Sequence, residues 1–114
     1  RDRLVGRLRE RFGARVMAGA PDPDGVDLVA NATPMGMRDR DPYPVDVTRL
    51  QPGAVVGDVV TKPAVPPLIA AARAAGCATS TGGDMFGRVA VLIVDFLLDD
   101  DAVTMASQRA SYLM

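Results

Sequence analysis

The chain of 114 residues has room for a single domain. Its 13 basic and 14 acidic side chains leave a net charge of −1, which gives no global pull toward nucleic acid or an anionic membrane. An apolar fraction of 48% with 24% charged residues argues against disorder, and the absence of histidine removes a Ser-His-Asp triad, an imidazole base and the commonest metal ligand.

Residues 3–12 place Leu4, Val5, Leu8 and Phe12 at helical spacing, and Gly13 follows where a helix would stop. Ala14 to Ala18, around Val16 and Met17, is a short strand candidate. Pro21-Asp22-Pro23-Asp24-Gly25 signals a turn. The apolar run Val26 to Ala30 then stops at Asn31, and the charged, proline-broken stretch from Arg38 to Pro44 is a loop. A second buried-strand candidate spans Ala54 to Val60 after the Pro52-Gly53 turn. Pro66 and Pro67 can open a helix, because first-turn N–H groups have no partner to lose; it continues through Leu68, Ile69 and Ala72 to Gly76. Cys77 to Ser80 make a further strand. A long apolar helix follows, with Met85, Val89, Leu92 and Phe96 on one side and Phe86, Ile93 and Leu97 beside it. Asp100 or Asp101 can cap a last short helix ending near Tyr112.

Short apolar strands alternating with helices predict an α/β fold, a doubly wound parallel sheet. No run reaches the ~18 apolar residues of a membrane span, no signal peptide is visible, and the single Cys77 cannot form an internal disulfide, so a cytoplasmic location is expected. The chain starts at Arg1, directly in a helical pattern, and reads as a fragment.

The most informative segment runs from Asp27 to Met37, where a buried strand gives way to small polar residues, a proline and a glycine. In an open parallel sheet, ligands bind beyond the carboxyl ends of the strands. Asn31 and Thr33 could supply an amide and a hydroxyl to a dinucleotide there, and Gly36 would let the backbone approach a flat ring. The plainer alternative is that Asn-Ala-Thr-Pro ends a strand with turn residues.

Asn31-Ala32-Thr33-Pro34-Met35-Gly36-Met37 resembles the signature of the shikimate and quinate dehydrogenase family. Gly57-Asp58-Val59-Val60-Thr61-Lys62-Pro63, followed by Pro67-Leu68, resembles that family's next strand and helix start, and Gly82-Gly83-Asp84-Met85-Phe86 its Gly-x-x-Met segment. The three segments stand in family order over about residues 20–100. The resemblance implies a partial Rossmann-like NAD(P)-binding domain over residues 1–114, lacking its first two strands. It implies reversible hydride transfer, with NADP or NAD as cofactor, between a nicotinamide and a 3-dehydroshikimate-like ring carbonyl in aromatic amino-acid biosynthesis. Asn31, Thr33, Pro34 and Met35 would lie along the nicotinamide half of the cofactor, with Val59, Gly82 and Met85 as further cofactor contacts, and Thr61 would hold a substrate-contacting position.

Two departures bear on the substrate. Family members commonly carry tyrosine at Thr61 and glutamine at Val89, and Val89 cannot hydrogen-bond a substrate hydroxyl. On spacing alone, Val89 is simply part of an apolar helix. The family's catalytic lysine and aspartate sit on a separate N-terminal domain, so no catalytic residue is assigned on this chain. Lys62, its only lysine, reads as a solvated loop charge. The glycine-rich pyrophosphate turn and the loop that selects NAD or NADP are expected upstream of Arg1. Without the central strands, an edge near Val29 would be exposed and the chain alone is expected to be marginal and without turnover. A small polyol-acid substrate is the expected partner, with no nucleic acid or membrane, and a homodimer stays open for the complete protein. Six arginines within the first 15 residues read as a solvated helix face, Asp99-Asp100-Asp101 as a helix boundary, Cys77 as a small core residue, and Asp84 as a charge complementing a helix N-terminus. A dinucleotide-binding relative without dehydrogenase activity is the second reading.

Overall fold

The computed structural model describes residues 1–98. In chain order it contains helix α1 (Asp2–Phe12), strand β1 (Leu28–Asn31), strand β2 (Val55–Asp58), helix α2 (Pro67–Ala74), strand β3 (Ala78–Ser80) and helix α3 (Gly82–Leu98). Single 3₁₀ turns occupy Gly13–Arg15 and Val47–Arg49. The three strands form one parallel sheet in the order β1-β2-β3. This is an α/β architecture consistent with part of a Rossmann-like fold. The expected final helix near Tyr112 lies outside the described residues.

Strand register follows from which side chains can be buried. Leu28 pairs with Val55, Val29 with Val56 and Asn31 with Asp58, while Val55 pairs with Ala78. Alternation sends Val29, Asn31, Val56 and Asp58 to the covered face and leaves Leu28 and Val55 on the other. Helix α2 covers the buried face. Pro66 is its N-cap and Pro67 its first residue, and Leu68, Ile69 and Ala72 lie one helical stripe apart, all buried. They close on Val29, Val56, Leu50, Ala54 and Cys77, with Val45 and Val47 from the β1–β2 connection at the margin. The Cys77 thiol donates to the Gln51 carbonyl at 3.3 Å, which accounts for it as a core residue. Gly76, at φ +83°, ends α2 in the left-handed conformation that a glycine adopts without a Cβ penalty, and the Cys77 N–H donates back to the Ala72 carbonyl.

The expected strand at Ala14 to Ala18 does not form. Val16 has an extended backbone, φ −98° and ψ 121°, but a strand needs a neighbour to complete its hydrogen bonds. Its carbonyl is taken by the Arg9 guanidinium at 2.7 Å instead, and Met17 is exposed. The other elements appear where expected with ends trimmed: β1 begins at Leu28 rather than Val26, β2 stops at Asp58 rather than Val60, and α2 ends at Ala74. Helix α1 buries no residue, and α3 buries only Gly82. Among the described residues, no helix is long and apolar enough to cross a membrane.

Candidate nicotinamide site at the strand ends

All three strands run in the same direction, so their carboxyl ends gather on one edge of the sheet, at Asn31, Asp58 and Ser80. This edge and the segments that leave it contain the residues assigned by resemblance to cofactor and substrate, from Asn31 to Met35, Val59, Thr61, Gly82 and Met85.

Beyond β1, the chain turns on Asn31. Its side chain is buried, only 4% exposed, and its hydrogen-bonding capacity is directed inward. The Asn31 Nδ2 amide donates to the Met35 carbonyl at 3.2 Å and to Asp58 Oδ1 at 3.1 Å. Asn31 Oδ1 accepts from the Thr33 N–H at 3.1 Å and from the Thr33 hydroxyl at 2.6 Å. The Thr33 oxygen in turn accepts from the Met35 N–H at 3.3 Å. Asn31 and Thr33 therefore use their side chains to shape the loop, as the plainer reading of the Asn-Ala-Thr-Pro segment held. Ala32, Thr33, Pro34 and Met35 are all exposed on this loop.

Gly36 adopts φ +102°, which a side chain would strain, and is buried. Its open side faces Pro66 and Pro67, each 3.7 Å from where a Cβ would stand. A Cβ there would make ordinary contact with the start of α2, so it is the positive φ that calls for glycine at this position. Both the Gly36 and the Arg38 N–H donate to Asp41 Oδ2, at 3.1 and 3.0 Å, and the carboxylate closes the loop. Pro34, Met35, Met37, Arg38 and Asp41 line an open cleft of about 360 Å³.

Beyond β2, Asp58 is 3% exposed. Its Oδ1 accepts from the Val60 N–H at 2.9 Å as well as from Asn31, while Oδ2 is buried with no hydrogen-bond partner among the described residues. The Val59 N–H donates to the Asn31 carbonyl, so main chain and side chain both bind this strand end to β1. Val59 is 39% exposed, Thr61 and Lys62 are exposed, and the Lys62–Pro63 peptide bond is cis.

Beyond β3, Thr81 and Asp84 cap α3 reciprocally. The Asp84 N–H donates to the Thr81 hydroxyl at 3.1 Å, and the Thr81 N–H donates to Asp84 Oδ2 at 2.9 Å. That backbone hydrogen bond, then the hydroxyl of Thr81, and more weakly the charge of Arg73, hold the Asp84 carboxyl below the usual carboxylate range. Gly82 sits so close to the end of β2 that a Cβ would overlap the Val59 and Val60 carbonyl oxygens. Met85, one turn further on, is 45% exposed. It lines a second open cleft of about 550 Å³ with Thr79, Ser80, Asp84, Arg88 and Val89. Neither cleft is lined by Asn31, Val59 or Gly82.

Exposed apolar side chains thus stand beyond each strand: Met35 and Met37 after β1, Val59 after β2, and Met85 and Phe86 after β3. Between them lie backbone segments held by buried hydrogen bonds. Apolar walls, a glycine without a side chain and pre-set peptide groups are features that can receive a flat ring. The described residues contain no group of acidic, cysteine or histidine side chains that could hold a metal ion. Asp58 was not singled out in the sequence. Its signal was an acidic residue inside a valine-rich buried run, where a carboxylate needs partners to be tolerated.

No family model matches the chain. Among curated proteins it is 37% identical over 98 residues to the shikimate dehydrogenase (NADP(+)) of Nitrobacter winogradskyi, covering 79% of this chain and 35% of that protein. It is 38% identical over 88 residues to the shikimate dehydrogenase (NADP(+)) of Streptomyces avermitilis, covering 72% and 30%. Of solved structures, the quinate dehydrogenase of Corynebacterium glutamicum in complex with NAD matches with TM-score 0.59 at 36% identity, over 74% of this chain and 32% of that one. The ligand-free 5-ketofructose reductase of a Gluconobacter strain matches with TM-score 0.71 at 25% identity, over 85% and 37%. The chain spans about a third of the length of the curated relatives it matches. Over that segment, which corresponds to their C-terminal part, the chain is a homologue of the shikimate and quinate dehydrogenases.

Proposed function

We propose that this chain supplies the nicotinamide side of the coenzyme domain in an NAD(P)-dependent dehydrogenase of the shikimate or quinate type. The observation that carries the reading is the shared edge at Asn31, Asp58 and Ser80, where Met35, Val59 and Met85 stand exposed beside Gly82. The relatives' names, which pair shikimate with NADP(+) and quinate dehydrogenase with NAD, support NADP or NAD as the coenzyme. When bound, the nicotinamide supplies the two-electron redox chemistry between an alcohol and a ring carbonyl.

The chain's own residues bind and orient. Pro34 and Met35 offer an apolar wall after β1, while Asn31 and Thr33 hold the loop that carries them. Val59 would add an apolar contact for the ring, and Gly82, having no Cβ, lets the start of α3 pack directly on the end of β2. Met85 would complete the apolar surround and help to exclude water once the coenzyme is bound. Thr61 lies where a small polyol acid would approach from beyond β2. Val89, which shares a cleft with Met85 and Arg88, offers that substrate an apolar contact in place of a hydrogen bond. Catalytic acid–base groups belong to the remainder of the complete enzyme, whose soluble, cytoplasmic action on a shikimate-like acid is part of this reading.

Oxidation of shikimate and of quinate by the complete protein, each with NAD and NADP, tests the proposal through absorbance of the reduced coenzyme. Turnover with one acid–coenzyme pair is the expected result. Coenzyme binding without turnover on any pair would instead favour the second reading, a dinucleotide-binding relative without dehydrogenase activity, to which Thr61 and Val89 lend some support.

A further inference from the structure

We infer that the buried Asn31–Asp58 pair is the positioning device of the coenzyme site, the one point from which all three strand-end segments are held. The inference rests on the functional reading above and adds two positioning residues to it.

The geometry converges on a single oxygen. Asp58 Oδ1 accepts from Asn31 Nδ2 at 3.1 Å and from the Val60 N–H at 2.9 Å. Through Asn31 it governs the first loop, because the same amide group also holds the Met35 carbonyl, and Asn31 Oδ1 holds Thr33 twice. Through Val60 it governs the second segment, fixing the peptide whose carbonyl faces Gly82 at contact distance. The start of α3 packs on that peptide, so the third segment follows the second. Met35, Val59 and Met85 are thereby placed by one carboxylate and one amide, which are paired in strand register and almost fully buried.

Fold stability alone does not call for this arrangement. Two apolar side chains at paired positions of a covered sheet face would pack without desolvating a carboxylate. Among the described residues Asp58 takes part in no salt bridge, and its Oδ2 is buried without a partner. Such a cost is characteristic of sites whose geometry matters more than their stability.

The test uses the complete protein and two substitutions. Asp58→Ala removes the shared acceptor and frees both loops. Asp58→Asn keeps an acceptor oxygen at the Oδ1 position for both donors. The ordering of even one loop residue at the moment of binding weakens affinity by about tenfold. Asp58→Ala should therefore raise the coenzyme Kd by about tenfold or more, and Asp58→Asn by no more than about twofold. In the coenzyme-free protein, NMR exchange of the Thr33, Met35 and Val60 amides should quicken in Asp58→Ala and stay slow in Asp58→Asn. If Asp58→Ala proves too unstable to handle, Asn31→Ser, which shortens the link while keeping a polar group, should give the same pattern. A coenzyme Kd that stays within about twofold in Asp58→Ala or Asn31→Ser, measured well below their unfolding temperature, overturns the inference and leaves a merely structural pair. Unaltered exchange of the three amides overturns it as well. Failure of the unsubstituted protein to bind any nicotinamide coenzyme sinks the functional reading itself, which separates that failure from failure of the clasp.

Discussion

Replacing glycine by alanine in a helix ordinarily stabilises it, by about 0.5–1 kcal/mol in an exposed interior position. Helix α3 contains two glycines for which the structure predicts opposite signs. At Gly87 a Cβ would meet nothing within 4 Å, so Gly87→Ala should stabilise the protein by about 0.5–1 kcal/mol. At Gly82 the new Cβ would stand 2.5 Å from the Val59 carbonyl oxygen and closer still to that of Val60. Both obstacles are backbone atoms rather than flexible side-chain ends, and the peptide carrying the Val59 carbonyl is held by Asp58 through the Val60 N–H. To reach even 3.0 Å, α3 must withdraw from the end of β2 by several tenths of an ångström. Overpacking of this kind costs about 1–3 kcal/mol, which outweighs the smaller propensity gain at a first-turn position. Gly82→Ala should therefore destabilise by about 1–2 kcal/mol net. It should also weaken coenzyme binding, because the withdrawal carries Met85 with it. Urea unfolding of both variants, with unchanged m-values, reads the two signs directly. Equal stabilisation by both alanines would refute the close approach of α3 to β2.

Three other perturbations follow from the same geometry. Gly36→Ala forces a side chain into a φ of +102°, and should cost about 1–3 kcal/mol in chemical unfolding; an unchanged midpoint would show that the loop does not need this conformation. Ile69→Ala, at a fully buried position between α2 and the sheet, should cost about 2–5 kcal/mol, a large share of a domain's stability; a loss below 1 kcal/mol, roughly the scale of surface substitutions, would place Ile69 outside the core. Asp84 and Asp46 both titrate below the usual carboxylate range, Asp84 through Thr81 and Asp46 through the Thr48 hydroxyl and then its N–H. With folded values depressed, their stabilising contribution is complete above the ordinary carboxylate pKa. It is lost as pH falls through the depressed folded values. Asp84→Asn should flatten the acid limb of a plot of unfolding midpoint against pH, and an unaltered acid limb would argue against the Thr81–Asp84 cap.

Much of the framework was legible because local signals agreed. The apolar run ending at Asn31, the valine run after Pro52-Gly53, and the Pro66-Pro67 helix start each combine a period with punctuation, and each marks an element of the structure. The segment around Val16 has strand-like composition, but strand formation depends on a neighbour that composition cannot report. The strand-end positions of the candidate residues were legible, and their hydrogen-bond partners were not. Spacing placed Asn31 and Thr33 at a strand end. Whether a polar side chain faces a ligand or folds onto its own loop is a question of three-dimensional partners: Asn31 is buried among its hydrogen bonds, while Thr33 bonds to Asn31 from an exposed position. At Gly36 the structure shows a positive φ and ordinary contact with the Pro66-Pro67 pair, a conformation that composition alone does not report. Asp58 was overlooked because it sits inside an apolar run, although an acid at such a position is itself the anomaly to pursue.

The central claim is that a nicotinamide rests on the strand edge between Met35, Val59 and Met85. Hydrogen exchange of the complete protein, compared with and without saturating NADP and NAD, tests it most directly. The account predicts that protection on binding appears in the peptides covering Thr33 to Met35, Val59 to Thr61 and Gly82 to Met85, with α2 unchanged. Coenzyme binding that protects other segments and leaves those three unaltered would contradict it.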